Sequence, residues 1–144
     1  MEKKSKKITP AQIIVFAVSF AAAYFGANYL FSNDNSSNQL LLELSEETNR
    51  TLPKMIDSET RFDSVTIKGD TMRNHFTFIN IPNDTIELDI EMAKSQMMHV
   101  AQMNLDTNRV MQEIRTRNIT LFYNFYDREN NKVFDYTVQP KKQK

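Results

Sequence analysis

Cysteine is absent from the 144 residues, which removes disulfides, a lipid-modified cysteine, thiol catalysis and thiolate metal sites at once. Any folded domain here must be held by its core alone, and a segment of about 105 residues is large enough for that. Two glycines cannot build a phosphate-cradling loop or a dinucleotide fingerprint, and with only four prolines the chain does not read as a loop-rich or disordered module. The two histidines, His75 and His99, are too few for a zinc site of three or four His/Cys ligands and are read as structural. Neither a G-x-S-x-G elbow nor an H-E-x-x-H helix is present. No metal and no cofactor is expected.

Charge is missing from one long stretch. Between Lys7 and Asp34, 26 residues from Ile8 to Asn33 contain no charged side chain. A helix crossing roughly 30 Å of hydrocarbon needs about 20 mostly apolar residues. A transmembrane helix is therefore expected over 8–31, after a basic tail, 1–7, whose Lys3, Lys4, Lys6 and Lys7 keep the N-terminus in the cytoplasm by the positive-inside rule. Ala21-Ala22-Ala23 offers the small-x-small pattern of a signal-peptide cleavage site. The apolar run nevertheless continues past Ala23 into Tyr24, Phe25, Tyr29 and Phe31, rings that favour the headgroup layer, so retention as a signal-anchor is the reading taken. Ser19, Ala23 and Ala27, with Ala22 and Gly26 beside them, recur at four-residue spacing, which would let a second helix, including a second copy, pack closely.

Beyond a polar linker, 32–38, the chain changes character. Residues 34–140 hold 11 basic and 17 acidic side chains, a net of −6, and show no Lys/Arg stripe, which argues against a nucleic-acid partner. Leu40, Leu41, Leu44, Thr48, Leu52 and Met55 fall on one face at helical spacing, predicting a helix over about 38–52 that ends before Pro53. Thr60 to Lys68 and Met72 to Ile81 predict a β-hairpin turning at Lys68-Gly69-Asp70, with Phe76 and Phe78 on one side and His75, Thr77 and Ile79 on the other. Helical spacing returns from Ile86 through Ala101, and a further short helix is expected from Asp106 or Thr107. Five methionines, Met92, Met97, Met98, Met103 and Met111, fall in this region and are read as core. ITLFYNFYD and VFDYTVQ, separated by RENNK, predict a closing hairpin. The expected fold class is α+β: the transmembrane helix, then an α-ββ-α-ββ domain over 39–140 with an antiparallel sheet and the helices on one face, then a basic tail, 141–144.

Asp57, Glu59, Asp63 and Asp70 cluster around the first strand, and paired carboxylates can hydrolyse glycosides when a cleft holds the sugar. A domain of this size with no spare loops has little material for a cleft. The chain is accordingly read as not an enzyme, with no catalytic residue assigned and a carboxylate-dependent hydrolase of envelope polysaccharide as the lesser alternative. Four Asn-x-Ser/Thr sequons, at Asn35, Asn49, Asn83 and Asn118, matter only in a host that glycosylates exported chains. Sheet edges and aromatic strands favour protein binding, by added-strand pairing or by the outward face of ITLFYNFYD, where alternation leaves Phe122 and Tyr126 free of the core.

LPKMIDSETRFDSV, followed later by ITLFYNFYDRENNKVFDYTV, resembles a loose group of small bacterial envelope domains that pair an opening LP-apolar-D-x-x-T with a closing YxYxD hairpin. The layout is similar to that of pilotins, small proteins that help assemble secretion channels. Pilotins carry a stabilising cysteine pair where this chain has none, and Asn130-Asn131 stands where the closing turn usually has glycine. The anchor, the missing catalytic equipment and the sheet edges together predict an inner-membrane protein with a periplasmic domain that binds another envelope or membrane protein and assists or regulates it. An inhibitor of an exported enzyme is the alternative.

Overall fold

The computed structural model describes residues 37–79 and 90–142. The expected transmembrane helix, its small-residue face at Ser19, Ala22, Ala23, Gly26 and Ala27, and nearly all of the linker lie outside the described residues. Among the described residues no helix is long and apolar enough to cross a membrane.

The first helix, α1 (Ser37–Arg50), forms where no glycine or proline interrupts and where one face is apolar. Leu40, Leu41 and Leu44 are buried completely, each adding roughly 1.5–3 kcal/mol by leaving water. Thr48 is buried on the same face with its hydroxyl donating to the Leu44 carbonyl. On the solvent side Gln39 bonds Glu43 and Arg50 pairs with Glu47. Thr51 and Leu52 close the last turn, and Pro53 stops it. Met55, expected on this stripe, instead belongs to a two-residue strand, β1 (Lys54–Met55), and is exposed.

Strands β2 (Thr60–Lys68) and β3 (Thr71–Phe78) form the predicted hairpin. Gly69 takes φ +58° as the first residue of its two-residue loop, a conformation that a side chain would strain. The helix α2 (Ile90–Thr107), a 3₁₀ turn (Arg109–Met111) and a short helix α3 (Gln112–Thr116) lead to the second hairpin, β4 (Thr120–Tyr126) and β5 (Lys132–Val138). Asn108 caps the 3₁₀ turn by accepting from the Val110 N–H. Arg115 donates to the carbonyls of Leu105 and Asn108, at 2.6 and 2.7 Å, and so satisfies the end of α2.

The strand order is β1-β2-β3-β4-β5, and β3 pairs with β4 in parallel, so the sheet is mixed where an antiparallel one was expected. The cause is the crossover. An 18-residue helix is about 27 Å long, enough to return the chain along the whole length of β3, so the next strand must start at the end where β3 started. Three α-helices and five strands among the described residues thus form an α+β domain.

One core joins all three helices to one face of the sheet. From the sheet come Phe62, Met72, Phe76, Phe78, Leu121, Tyr123, Phe125, Tyr136 and Val138. Their rings form a stacked row, with Phe125 centred 4.9 Å from Phe76, 5.3 Å from Phe78 and 4.7 Å from Phe134. The methionines divide, which corrects their reading as core. Met97 and Met111 are buried, whereas Met92, Met98 and Met103 are exposed. Ala93, Met97, Ala101 and Leu105 make the buried stripe of α2, and Met92, Met98 and Met103, one or two positions off that stripe, turn to solvent.

Candidate functional site

Alternation along the strands assigns every second residue to the sheet face that no helix of the described residues covers. Registers place Ser64, His75, Asn124 and Asp135 in one row across it, with Thr66, Arg73, Phe122 and Thr137 in the next. A bulge between Phe62 and Ser64 adds Asp63 to this polar face, where its carboxylate accepts from the Arg61 Nε and the Thr77 hydroxyl. Phe122 and Tyr126 lie on this face, half-buried, as their alternation predicted.

His75 sits at the centre. Its Nε2 is 2.8 Å from the Thr66 hydroxyl, and the Asn124 Nδ2 approaches its Nδ1 at 3.5 Å. Burial pushes the imidazole below its ordinary pKa, the Arg73 guanidinium pushes it further down, and Asp63 opposes both. A hydroxyl beside an imidazole has the spacing of a nucleophile and its base. Here the group on the far ring nitrogen is the Asn124 amide, at 3.5 Å, rather than a carboxylate that would hold the imidazole as a base.

Arg73 differs from Arg61 and Lys132 on the same face. Its guanidinium carbon lies 5.1 Å from the centroid of the Phe122 ring. It makes no hydrogen bond and no ion pair among the described residues, and its Nε is buried without an acceptor. Arg61 is paired with Asp63, and Lys132 with Asp135. Asn124 is also unusual, a polar side chain on this face only 3 % exposed. Sequence reading passed over Arg73 because alternation marks it only as polar. The one signal for Asn124 was its position inside the aromatic run LFYNFY.

Of the sheet edges, also expected to bind, the one along β2 is largely occupied. β1 covers only Arg61 and Phe62 of β2. Past the bulge the Asn49 side chain takes over, its Nδ2 donating to the Val65 carbonyl at 2.8 Å and its Oδ1 accepting from the Val65 N–H at 2.7 Å. A side-chain amide from α1 thus replaces a neighbouring strand. At the other edge, β5 begins with Lys132 beside a bulge, and Gln102 donates to the carbonyl of Gln139 just past its end.

The carboxylates singled out in the sequence do not converge. Asp57 accepts from the N–H groups of Glu59 and Thr60 and shapes the loop before β2. Burial, and then the Asp57 charge, raises the Glu59 carboxyl above its usual range. Asp63 is on the sheet face, and Asp70 is in the hairpin turn at the opposite end of β2, where its carbonyl accepts from Thr120. No group of three or more His, Asp or Glu among the described residues could hold a metal ion. His99 is exposed on α2. Of the sequons, Asn49 has both amide atoms engaged, Asn118 is exposed with φ 54°, and Asn35 and Asn83 lie outside the described residues.

Residues 35–134 match the family described as Domain of unknown function (DUF8479), and the chain belongs to it. No curated protein matches the sequence. Among solved structures, a Pseudomonas aeruginosa protein whose name calls it secreted is similar with a TM-score of 0.55 at 17 % identity, over 72 % of this chain and 87 % of that one. EpsS, the pilotin of the Vibrio vulnificus type 2 secretion system, is similar with a TM-score of 0.54 at 10 % identity, over 77 % of this chain and all of the other. At these identities the likeness is one of fold, and the pilotin-like layout expected from the sequence is met.

Proposed function

We propose that this DUF8479 member is a non-enzymatic envelope protein, held in the inner membrane through residues 8–31, with its α+β domain on the periplasmic side. There it binds another envelope or membrane protein and assists or regulates it. The binding surface is the helix-free face of the sheet around Arg73, Phe122 and Tyr126. One observation above the others supports this reading: a cation stacked on an aromatic ring, with no partner of its own among the described residues, on a broad polar face. The names of the two fold relatives, a secreted protein and a pilotin, favour the envelope, as does the charge-free stretch after a basic start. The scattered carboxylates favour binding over hydrolysis.

Photo-crosslinking in intact cells tests the reading. A crosslinker at Tyr126 or Thr137 should capture a discrete protein, identified by mass spectrometry, while one at Met103 on the exposed side of α2 should not. Absence of any adduct from the sheet-face positions, or adducts from Met103 alone, would count against it.

A further inference from the structure

We propose that the helix-free face recognises an acidic segment of its partner, with Arg73 as the residue that receives a carboxylate. This rests on the binding reading above and names the chemistry of the partner. A guanidinium in a folded protein ordinarily finds acceptors, because buried donors left unmade cost more than the bonds gain when made. Arg73 has none among the described residues, although Asp63 lies on the same face, because Asp63 is already bonded to Arg61 and Thr77. The Phe122 ring lies against the guanidinium, so the side chain has less freedom to lose when a ligand arrives.

Charge complementarity sets the sign of the partner. Although residues 34–140 carry a net −6, Arg73 is unpaired among the described residues, and Lys68 lies exposed on the same face in the adjacent row. An anionic side chain reaching Arg73 would also meet the Thr66 hydroxyl beside it and the Phe122 ring, which suits an acidic residue flanked by an apolar one. Arginine is suited to this task because its planar fork matches a carboxylate in two parallel hydrogen bonds, which an ammonium cannot reproduce.

The test uses the full chain in lipid nanodiscs and two peptides, acetyl-(Glu-Leu)₃-amide and its counterpart with glutamine in place of glutamate. The Glu peptide should shift the Arg73 Nε–H resonance and the Phe122 ring signals, with an affinity that falls as salt is raised, and the Gln peptide should not. Arg73→Lys should weaken the Glu peptide at least tenfold with its thermal midpoint unchanged. Equal binding of both peptides, or no movement of the Arg73 signal, would overturn the inference. Should Arg73→Lys fail to fold, the two peptides on the unsubstituted chain still decide the question. If crosslinks at Tyr126 recover a partner while the peptides bind equally, the binding face stands and its acidic preference falls. If the peptides discriminate and no crosslink forms, the acidic preference stands and the envelope-partner reading fails.

Discussion

The two faces of the sheet are made by the same strands, one residue apart, yet they are built on opposite terms. On the inner face Phe62, Phe76, Phe125 and their neighbours satisfy one another through ring stacking and leave water completely. On the outer face Asp63 is bonded by Arg61 and Thr77, His75 lies between Thr66 and Asn124, and Arg73 has no such partner among the described residues. The first face explains why the domain folds. Among the described residues the second holds the cation with an interaction left to make, Arg73.

The largest expected effect breaks the inner face. Phe125→Ala removes the ring that touches Phe76, Phe78 and Phe134 and should cost about 3–5 kcal/mol, read by urea denaturation of the domain. Phe122→Ala, three residues earlier and on the other face, should cost far less, since it loses a half-exposed ring and one cation–π contact worth ~0.5–1 kcal/mol. Equal losses from the two substitutions would mean that the faces are not as different as their packing implies.

Asn49 sharpens the comparison at the sheet's edge. Asn49→Ala leaves both the N–H and the carbonyl of Val65 without their partner and should cost roughly 1–3 kcal/mol. Asn49→Asp keeps the acceptor for the Val65 N–H and loses the donor to its carbonyl, so its loss should be smaller. The alanine variant should also self-associate more readily in sedimentation, because a length of β2 edge has been uncovered.

Arg73→Met should change the denaturation midpoint by no more than the equivalent of about 0.5 kcal/mol, because the guanidinium contributes no hydrogen bond and one ring contact that a thioether can largely replace. The same variant should lose binding of the Glu peptide. A residue that matters for binding and not for stability is the signature expected of the outer face. A large loss of stability would instead make Arg73 a structural residue.

Much of the inner face was legible in the sequence because it depends on local periodicity. The leucine stripe of α1, the bounds of β2 and the alternation of Phe76 and Phe78 against His75 and Thr77 follow from spacing alone. The substitution of Asn130-Asn131 for glycine in the closing turn also reads correctly, since Asn130 takes φ 66°, a conformation asparagine tolerates. What was not legible depends on residues distant in the chain. The parallel pairing of β3 and β4 arises from a crossover of some forty residues, and Asn49 reaches a strand sixteen positions on. The lack of a partner for Arg73 is a property of geometry, because sequence shows that acidic residues exist but not that Asp63 is already engaged. Phe122 and Tyr126 were found by alternation. The cation that makes Phe122 useful was not.

The smallest effect concerns protons and joins the two faces of the argument. His75 has its pKa lowered by burial and by Arg73, while in the unfolded chain it titrates near 6.5. As pH falls through that value the unfolded chain takes up the proton before the folded one does, so the stability contributed by neutral His75 is full above about 6.5 and is lost as pH drops through the lower folded value. Wild type should therefore lose more stability than His75→Gln between pH 7 and pH 5, a difference visible in paired denaturation curves. An acidic ligand on Arg73 reverses one of the causes, because its carboxylate offsets the positive charge that disfavours the imidazolium. With the Glu peptide bound, the His75 titration followed by its ring-proton shifts should move upward, and binding should tighten as pH falls through that range. An upward shift in wild type that disappears in Arg73→Met would tie the imidazole to the guanidinium. A shift that persists without Arg73 would mean that the acid sits elsewhere on the face.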